Sequence, residues 1–173
     1  TSSGAITENV QSSETNENID ISINKYFYNQ LVGNEKTIYD KLLENKDNLK
    51  LGDYKIEFKN TFSDMLSESE DGYDVLGRQY QSAIEAFMYD NPQLFYIDVN
   101  KMLLNVETTT KFLRTTHNVY ISSKSGSKYL SDDFNDLEQI KIGIAQIEKI
   151  KNDLINSLTG SDYDKIMKIH DFI

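Results

Sequence analysis

The 173-residue sequence contains no cysteine. A nucleophile of the Ser, Thr or Cys type would therefore have to be a serine or threonine hydroxyl group. The same absence excludes disulfide bonds and thiolate metal ligands. A serine nucleophile needs a neighbouring base and a third group that orients that base. The segment Ser125-Gly126-Ser127-Lys128 fits the short Ser-x-x-Lys pattern of penicillin-recognising enzymes, but the partner motifs Ser-Asp-Asn and Lys-Thr-Gly are absent. We interpret this segment as a solvated turn.

Metal binding has few imidazole ligands available, since His117 and His170 are the only histidines. They do not have the i, i+4 spacing of a zinc-binding helix. His117 lies on a predicted strand, where we expect an exposed polar side chain. The acidic stretch 64–74 does not have the spacing of a calcium-binding loop, and we interpret it as a solvated face. The sequence therefore predicts no metal site and no cofactor.

Other reaction classes find no specific support in the sequence. The 28 acidic residues offer many carboxylate pairs, but no apolar setting singles out one pair for glycoside hydrolysis. An unrelated acidic hydrolase is therefore the least favoured alternative. Glycine-rich phosphate loops are absent. The formal charge of −10, with only two arginines, predicts that the chain does not bind nucleic acid.

Aromatic side chains cluster in two places and could stack on a sugar or a peptide. The first cluster is Tyr26-Phe27-Tyr28 and the second is Phe95-Tyr96. Aromatic residues at helix or strand spacing more often form the core. We therefore assign Tyr28, Phe95 and Tyr96 as contacts with either a ligand or the core.

The elements that position these residues follow from the hydrophobic periodicity. Period-two alternation predicts a strand at 54–58, and segments rich in Val, Thr and Tyr predict an antiparallel pair at 102–109 and 112–122. We predict an acidic loop with or without a short helical turn at 60–77, and an extended segment at 93–98. Together with the helices, this pattern predicts the α+β class, with a few helices packed on a small antiparallel sheet.

Four segments have the spacing of helices. We predict a helical turn at 24–31, a helix at 35–48 capped by Asn34, a helix from Asp74 that stops at Asn91-Pro92, and a long helix at 133–158. In the long helix, Ile142 and Ile155 lie outside the main apolar stripe, which predicts burial on more than one side. Ser161 is the expected N-cap of a last helix.

The organisation predicted from these elements has three parts. Residues 1–22 are polar and acidic and read as a disordered tail or linker, residues 23–158 as an α+β domain, and residues 159–173 as the first helix of a further domain. Because the last helix finishes on Phe172-Ile173 without a cap, we expect a cut at this point rather than a natural terminus. No run approaches the roughly 20 apolar residues of a membrane span.

Three segments in order resemble the region upstream of bacterial transglutaminase-like domains. Residues 31–42, with Glu35-Lys36-Thr37-Ile38-Tyr39-Asp40, resemble the family's "Glu-Lys-x-Ile-Tyr-Asp" opening. Residues 86–97, which include Asp-Asn-Pro-Gln-Leu-Phe-Tyr at 90–96, resemble its "Asp-x-Pro-Glu-Leu-Phe-Tyr" segment, with Gln93 in place of Glu. Residues 161–173 resemble the helix "Ser-Asp-Tyr-Glu-Lys-x-x-x-Ile-His-Asp-Tyr-Leu" that leads into the catalytic core.

The resemblance implies a non-catalytic N-terminal accessory region of a secreted or envelope-associated bacterial protein. The family's core is similar to papain-type enzymes and uses Cys, His and Asp, and its cysteine would follow residue 173. His170 corresponds to a histidine of the lead-in helix and not to the catalytic one. The implied partner is the protein's own downstream catalytic domain, which would act on or bind peptide, protein or cell-wall substrates. The alternative is a free-standing extracellular module that binds a peptide or glycan through its aromatics.

Overall fold

The sheet of the computed structural model, which describes residues 25–172, contains three antiparallel strands in the order β1-β3-β2. They are β1 (Ile56–Lys59), β2 (Leu103–Lys111) and β3 (Arg114–Ser122). Burial alternates along β1 and along the inner half of β3, so every second side chain there faces the core. Lys59, with φ of 51°, marks an irregularity in the β1–β3 register. The predicted antiparallel pair is confirmed, and so is the α+β class.

Helices cover the inner face of this sheet. The described residues include α1 (Asn34–Glu44), α2 (Ser63–Glu68), α3 (Gly72–Asp90), α4 (Leu137–Ser157) and α5 (Asp162–Phe172). Short 3₁₀ turns lie at Tyr28–Gln30, Lys46–Leu51, Pro92–Leu94, Val99–Lys101 and Asp132–Phe134. Asn34 is the first residue of α1 rather than its cap, and its amide donates to Gln79 of α3 at 3.3 Å.

The core lies between α1, α3 and the inner face of the sheet. Each helix and each strand contributes apolar side chains to the core at its own sequence period. The apolar pattern of the sequence therefore predicts these segments. The fully buried members with the largest side chains are Tyr39, Tyr129, Phe62, Phe87, Ile38, Leu42, Leu49, Ile56, Leu76, Ile121 and Ile140. The opposite face of the sheet carries exposed residues such as Glu57 and Asn118. The architecture is therefore two layers, with helices on one side of the sheet.

Three local predictions were wrong. Residues 93–98 are not extended, because Pro92 begins a 3₁₀ turn and only Ile97 pairs in strand fashion, with Leu130. Phe112 lies in the β2–β3 turn and not in a strand. Ile142 and Ile155 are 50% and 53% exposed, so α4 is not buried on more than one side.

The last two helices differ from the rest of the fold in their burial. Gly143 is the last buried residue of the described range, and most of α4 and α5 beyond it is exposed. Ser161 caps α5 as predicted: its hydroxyl accepts the Asp164 backbone N–H at 3.3 Å, and the Asp164 carboxylate accepts the Ser161 backbone N–H at 2.9 Å. The predictions for residues 1–22 and for Ile173 lie outside the described residues.

Candidate functional site

Asp90, at the end of α3, is a buried carboxylate that joins three parts of the fold. It accepts the backbone N–H groups of Phe27 at 3.1 Å and Tyr28 at 2.9 Å, and the hydroxyl of Tyr39 at 3.1 Å. Burial and the Asp90 hydrogen bond raise the pKa of Tyr39 above its ordinary value. Asp90 therefore fixes the N-terminal turn and α1 to the end of α3.

The residues after Asp90 in the resembling segment continue this structural role. The Asn91 side chain is fully buried and donates to the Phe87 carbonyl at 2.7 Å, which ends α3. Leu94 and Tyr96 belong to the core. Phe95 stands edge-on to Phe134, with ring centroids 5.0 Å apart. The segment 90–96 thus positions other elements of the fold.

The three aromatic residues singled out from the sequence lie in two regions. Tyr96 is buried, and Phe95 is half-buried under α4, where a Cβ added at Gly143 would come within 3.3 Å of its ring. Tyr28 is half-buried against Tyr39, with ring centroids 4.8 Å apart. The contacts of all three are with neighbouring side chains of the fold.

A serine and histidine cluster, which sequence reasoning missed, connects α2 to β3. His117 is 6% exposed, so the prediction of an exposed polar side chain was wrong. Its backbone N–H donates to the Ser63 hydroxyl at 3.0 Å, and its Nδ1 lies 3.5 Å from that hydroxyl and 3.3 Å from the Ser67 hydroxyl. The signal in the sequence is the strand period, because His117 shares the buried face with Val119 and Ile121.

This cluster lacks the parts that nucleophilic catalysis requires. Within residues 25–172 no carboxylate forms a hydrogen bond with His117, so its ring has no acidic orienting group. Ser63 is buried, and its hydroxyl already accepts the His117 backbone N–H. The ring of Tyr73 stands edge-on to the imidazole at 6.1 Å. The arrangement therefore packs α2 on the sheet.

The segment Ser125–Lys128 is an exposed turn, as predicted. Gly126 has φ of 75°, a left-handed conformation that glycine adopts without strain, and the Ser123 hydroxyl donates to the Ser127 carbonyl at 2.7 Å. No hydrogen bond of the described residues joins the Ser125 hydroxyl to Lys128. The Ser-x-x-Lys match is therefore not supported by a nucleophile–base contact.

The described part of the chain contains neither a metal-ligand cluster nor a membrane-spanning helix. Across residues 25–172, no cluster of three or more His, Asp or Glu side chains could hold a metal ion. In the same range, the helices are too short or too polar to cross a lipid bilayer.

Two surfaces of the described residues expose large apolar side chains in groups. The first, called here the α4–α5 surface, is the set of exposed apolar side chains on the two helices beyond Gly143: Ile144, Ile147 and Ile150 on α4, and Ile166, Met167, Ile169 and Phe172 on α5. The second, called here the hairpin tip, is Lys111–Arg114, in which Phe112 and Leu113 are 103% and 104% exposed. Grouped exposed apolar residues mark interaction surfaces more often than scattered ones do.

Comparison of the chain with protein-family models, with curated proteins and with solved structures found no match. The two surfaces and the packing roles of segment 90–96 are therefore the features on which a functional interpretation rests.

Proposed function

We propose that this chain is a non-catalytic accessory region that packs through its α4–α5 surface against a transglutaminase-like core of the same protein. The single observation that carries the proposal is the exposure of apolar side chains along both helices beyond Gly143. The resemblance of residues 31–42, 90–96 and 161–173 to the region upstream of such cores identifies the proposed partner. The core would act on or bind peptide, protein or cell-wall substrates outside the cytoplasm.

The apolar stripe of α4 is continuous with the core of the described fold. Ile140 is buried, and Ile144 and Ile147 follow on the same helix face at i+4 and i+7. Leu154 and Leu158 extend that face to the end of the helix. This apolar face of α4 is buried at Ile140 and exposed at Ile144 and Ile147. Its continuation beyond the core supports packing against a second apolar surface.

The shape of α5 supports the same conclusion. This helix has 11 residues, and isolated helices shorter than about 12 to 15 residues are marginal in water. Its capping box with Ser161 and Asp164 fixes where it begins, and the Lys168 ammonium donates to the Ser157 carbonyl at 2.7 Å. Neither contact covers Ile166 or Phe172. In this proposal, the tertiary packing that stabilises α5 comes mainly from the apolar surface of the core.

The coding sequence after the codon for Ile173 provides the first test. We expect it to encode a Cys in a small-residue context, followed by His and Asp, within about one domain of 100 to 150 residues. A stop codon directly after Ile173, or a following domain without cysteine, would contradict the proposal.

Hydrogen exchange measured by mass spectrometry provides the second test. We expect amides of 144–172 to exchange more slowly in the longer protein than in the 173-residue chain. Ile144→Ser combined with Ile147→Ser should remove that protection. Ile142→Ser is the matched control, because Ile142 is equally exposed but lies on the opposite side of α4. Equal exchange in the two proteins would refute packing through this surface.

A second candidate function is a binding module for a peptide or glycan. It is favoured by Tyr26 and Tyr89, which are 60% and 66% exposed and flank Phe27 at ring distances of 5.2 and 4.9 Å. Binding of soluble peptidoglycan fragments or peptides, measured by tyrosine fluorescence, should then be lost in Tyr26→Ser with Tyr89→Ser. Binding that is unchanged in this variant would exclude the aromatic surface.

A further inference from the structure

We propose that the hairpin tip is a membrane-contacting element that inserts Phe112 and Leu113 into the interfacial region of an anionic lipid bilayer. The proposal is independent of the α4–α5 surface and of any catalytic core. It rests on the exposure, charge and geometry of the β2–β3 ribbon.

The apolar character of the ribbon end is confined to its turn. From Glu107 to Thr116 all side chains are polar except Phe112 and Leu113. Both are fully exposed, and each is a large apolar side chain in water without a neighbour to cover it. Two adjacent apolar side chains at the turn of a ribbon whose strands are polar are suited to shallow insertion into a lipid bilayer.

The backbone of the turn adds a second indication. Lys111 pairs with Arg114, so the connection has two residues, and Phe112 has φ of 57° at the first of them. Two-residue turns with positive φ at this position favour glycine, because a side chain there is strained. A phenylalanine in a glycine position, fully exposed, carries a folding cost that its own packing does not offset.

The ribbon carries these side chains away from the body of the fold. β1 pairs with β3 only at residues 119–121, and α2 contacts β3 at His117. Beyond His117 the ribbon is two-stranded, and the three residues to Arg114 extend it by about 10 Å. The tip therefore lies beyond the part of the sheet that β1 and α2 cover.

The charge at the tip selects an anionic surface. Lys111 and Arg114 flank the apolar pair, and no acidic residue lies between Glu107 and Asp132 in a chain of net charge −10. Glu107 is five residues from Phe112, or about 17 Å along the strand, which exceeds the Debye length of about 8 Å at physiological salt. Lys and Arg side chains near an anionic bilayer strengthen binding, and their stems extend so that the charges lie in the headgroup layer.

A protein pocket fits these observations less well. A stable protein interface covers about 20 to 30 residues on each side, whereas the tip presents two apolar side chains above threonines. Membrane binding strengthens with the apolar area that is buried and with attraction to anionic lipids, so a small apolar tip flanked by cations can contribute to it. The observations therefore favour lipid over a protein partner.

A tryptophan reporter tests the proposal directly, because the chain contains no tryptophan. Phe112→Trp should show a blue-shifted emission with vesicles of equal parts phosphatidylcholine and phosphatidylglycerol, and quenching by brominated acyl chains. Vesicles of phosphatidylcholine alone should give no shift. Val32→Trp, at another exposed position, is the matched control and should remain unshifted.

Sedimentation with the same vesicles measures the contribution of each group. Phe112→Ser with Leu113→Ser should weaken binding by at least about tenfold. Lys111→Gln with Arg114→Gln should weaken it by about fivefold per cation at low salt. Ile144→Ser with Ile147→Ser removes comparable apolar side chains from the α4–α5 surface and should leave binding unchanged.

Three outcomes would overturn the proposal. The first is an absence of binding to anionic vesicles by the unchanged chain. The second is binding lost in the Ile144 and Ile147 variant but kept in the Phe112 and Leu113 variant. The third is a Phe112→Trp reporter that shifts only within the longer protein and never with vesicles, which would assign the tip to a protein contact. Vesicle binding through the tip, together with equal hydrogen exchange of 144–172 in both proteins, would support this proposal and refute the proposed function.

Discussion

Asp90→Asn tests whether one carboxylate holds the N-terminal turn and α1 on the end of α3. The substitution keeps the size and shape of the side chain and replaces one acceptor oxygen by an amide group that donates. One oxygen of Asp90 accepts from Phe27, and the other accepts from both Tyr28 and Tyr39. In either orientation of the amide, at least one backbone N–H faces a donor and loses its partner.

The size of the effect follows from these three bonds. A hydrogen bond to a charged group contributes about 1.5 to 3 kcal/mol, and an orphaned buried donor costs about the same. Losing one bond and weakening the other two gives a destabilisation of about 3 kcal/mol. That is a large fraction of the 5 to 15 kcal/mol that stabilises a typical domain. Tyr39→Phe removes only the hydroxyl bond to the carboxylate and should cost about 1.5 to 2 kcal/mol.

Urea unfolding followed by circular dichroism measures this difference. With a slope of about 2 kcal/mol per molar urea, Asp90→Asn should lower the midpoint by about 1.5 M. In the Asp90→Asn background, Tyr39→Phe should cost less than it does alone, because the two side chains share one bond. Hydrogen exchange at the Phe27 and Tyr28 amides should accelerate in the same variant. A midpoint shift below about 0.25 M, with unchanged hydrogen exchange, would show that Asp90 does not hold the N-terminal turn and α1 on the end of α3.

Further predictions concern the core and the turn. The three tyrosines whose pKa values are raised most, mainly through burial, are Tyr39, Tyr80 and Tyr129. The unfolded chain loses these phenolic protons near pH 10, whereas the folded chain keeps them. The free energy of unfolding should therefore fall above pH 10 by up to about 4 kcal/mol per pH unit. Urea midpoints that do not change from pH 9 to 11 would contradict this prediction. Gly143→Ala should destabilise the fold by about 1 kcal/mol, because the new Cβ would lie 2.8 Å from the Phe134 ring. Gly77→Ala, where the new Cβ would have no neighbour within 4 Å, should stabilise the fold by about 0.5 to 1 kcal/mol. Equal urea midpoints for the two variants would contradict the close packing of α4. Phe112→Gly should raise the thermal midpoint, corresponding to about 1 kcal/mol of relieved strain, and a lowered midpoint would show that the turn is unstrained.

Local periodicity accounts for the parts of the fold that the sequence predicted. The strand near Ile56, the β2–β3 pair and the long helix α4 each repeat their apolar residues over several periods, so the pattern defines them without tertiary information. The capping box at Ser161 was equally visible, because it involves residues only three apart.

Long-range contacts account for most of what the sequence did not predict. The burial of His117 depends on Ser63, which is distant in sequence and lies in an acidic stretch without apolar periodicity. The packing role of Asp90 depends on two amides that precede it by more than 60 residues. Ile142 is exposed because it lies on the side of α4 opposite the buried Ile140, and Ile155 is exposed because α4 extends beyond its contacts with the core, which no helical repeat specifies.

The order of the strands has a consequence for how the chain folds. β2 and β3 are joined by a two-residue turn and can pair within about 1 to 10 μs, whereas α2, α3 and the hairpin lie between Ile56 and its partner Ile121 in the sequence. Closing that long loop costs chain entropy before the contacts of β1 are gained. Until β1 pairs, the backbone N–H and C=O groups along one edge of β3 at 119–121 have no partner strand. Losses during refolding at high protein concentration should therefore begin at this open edge of β3.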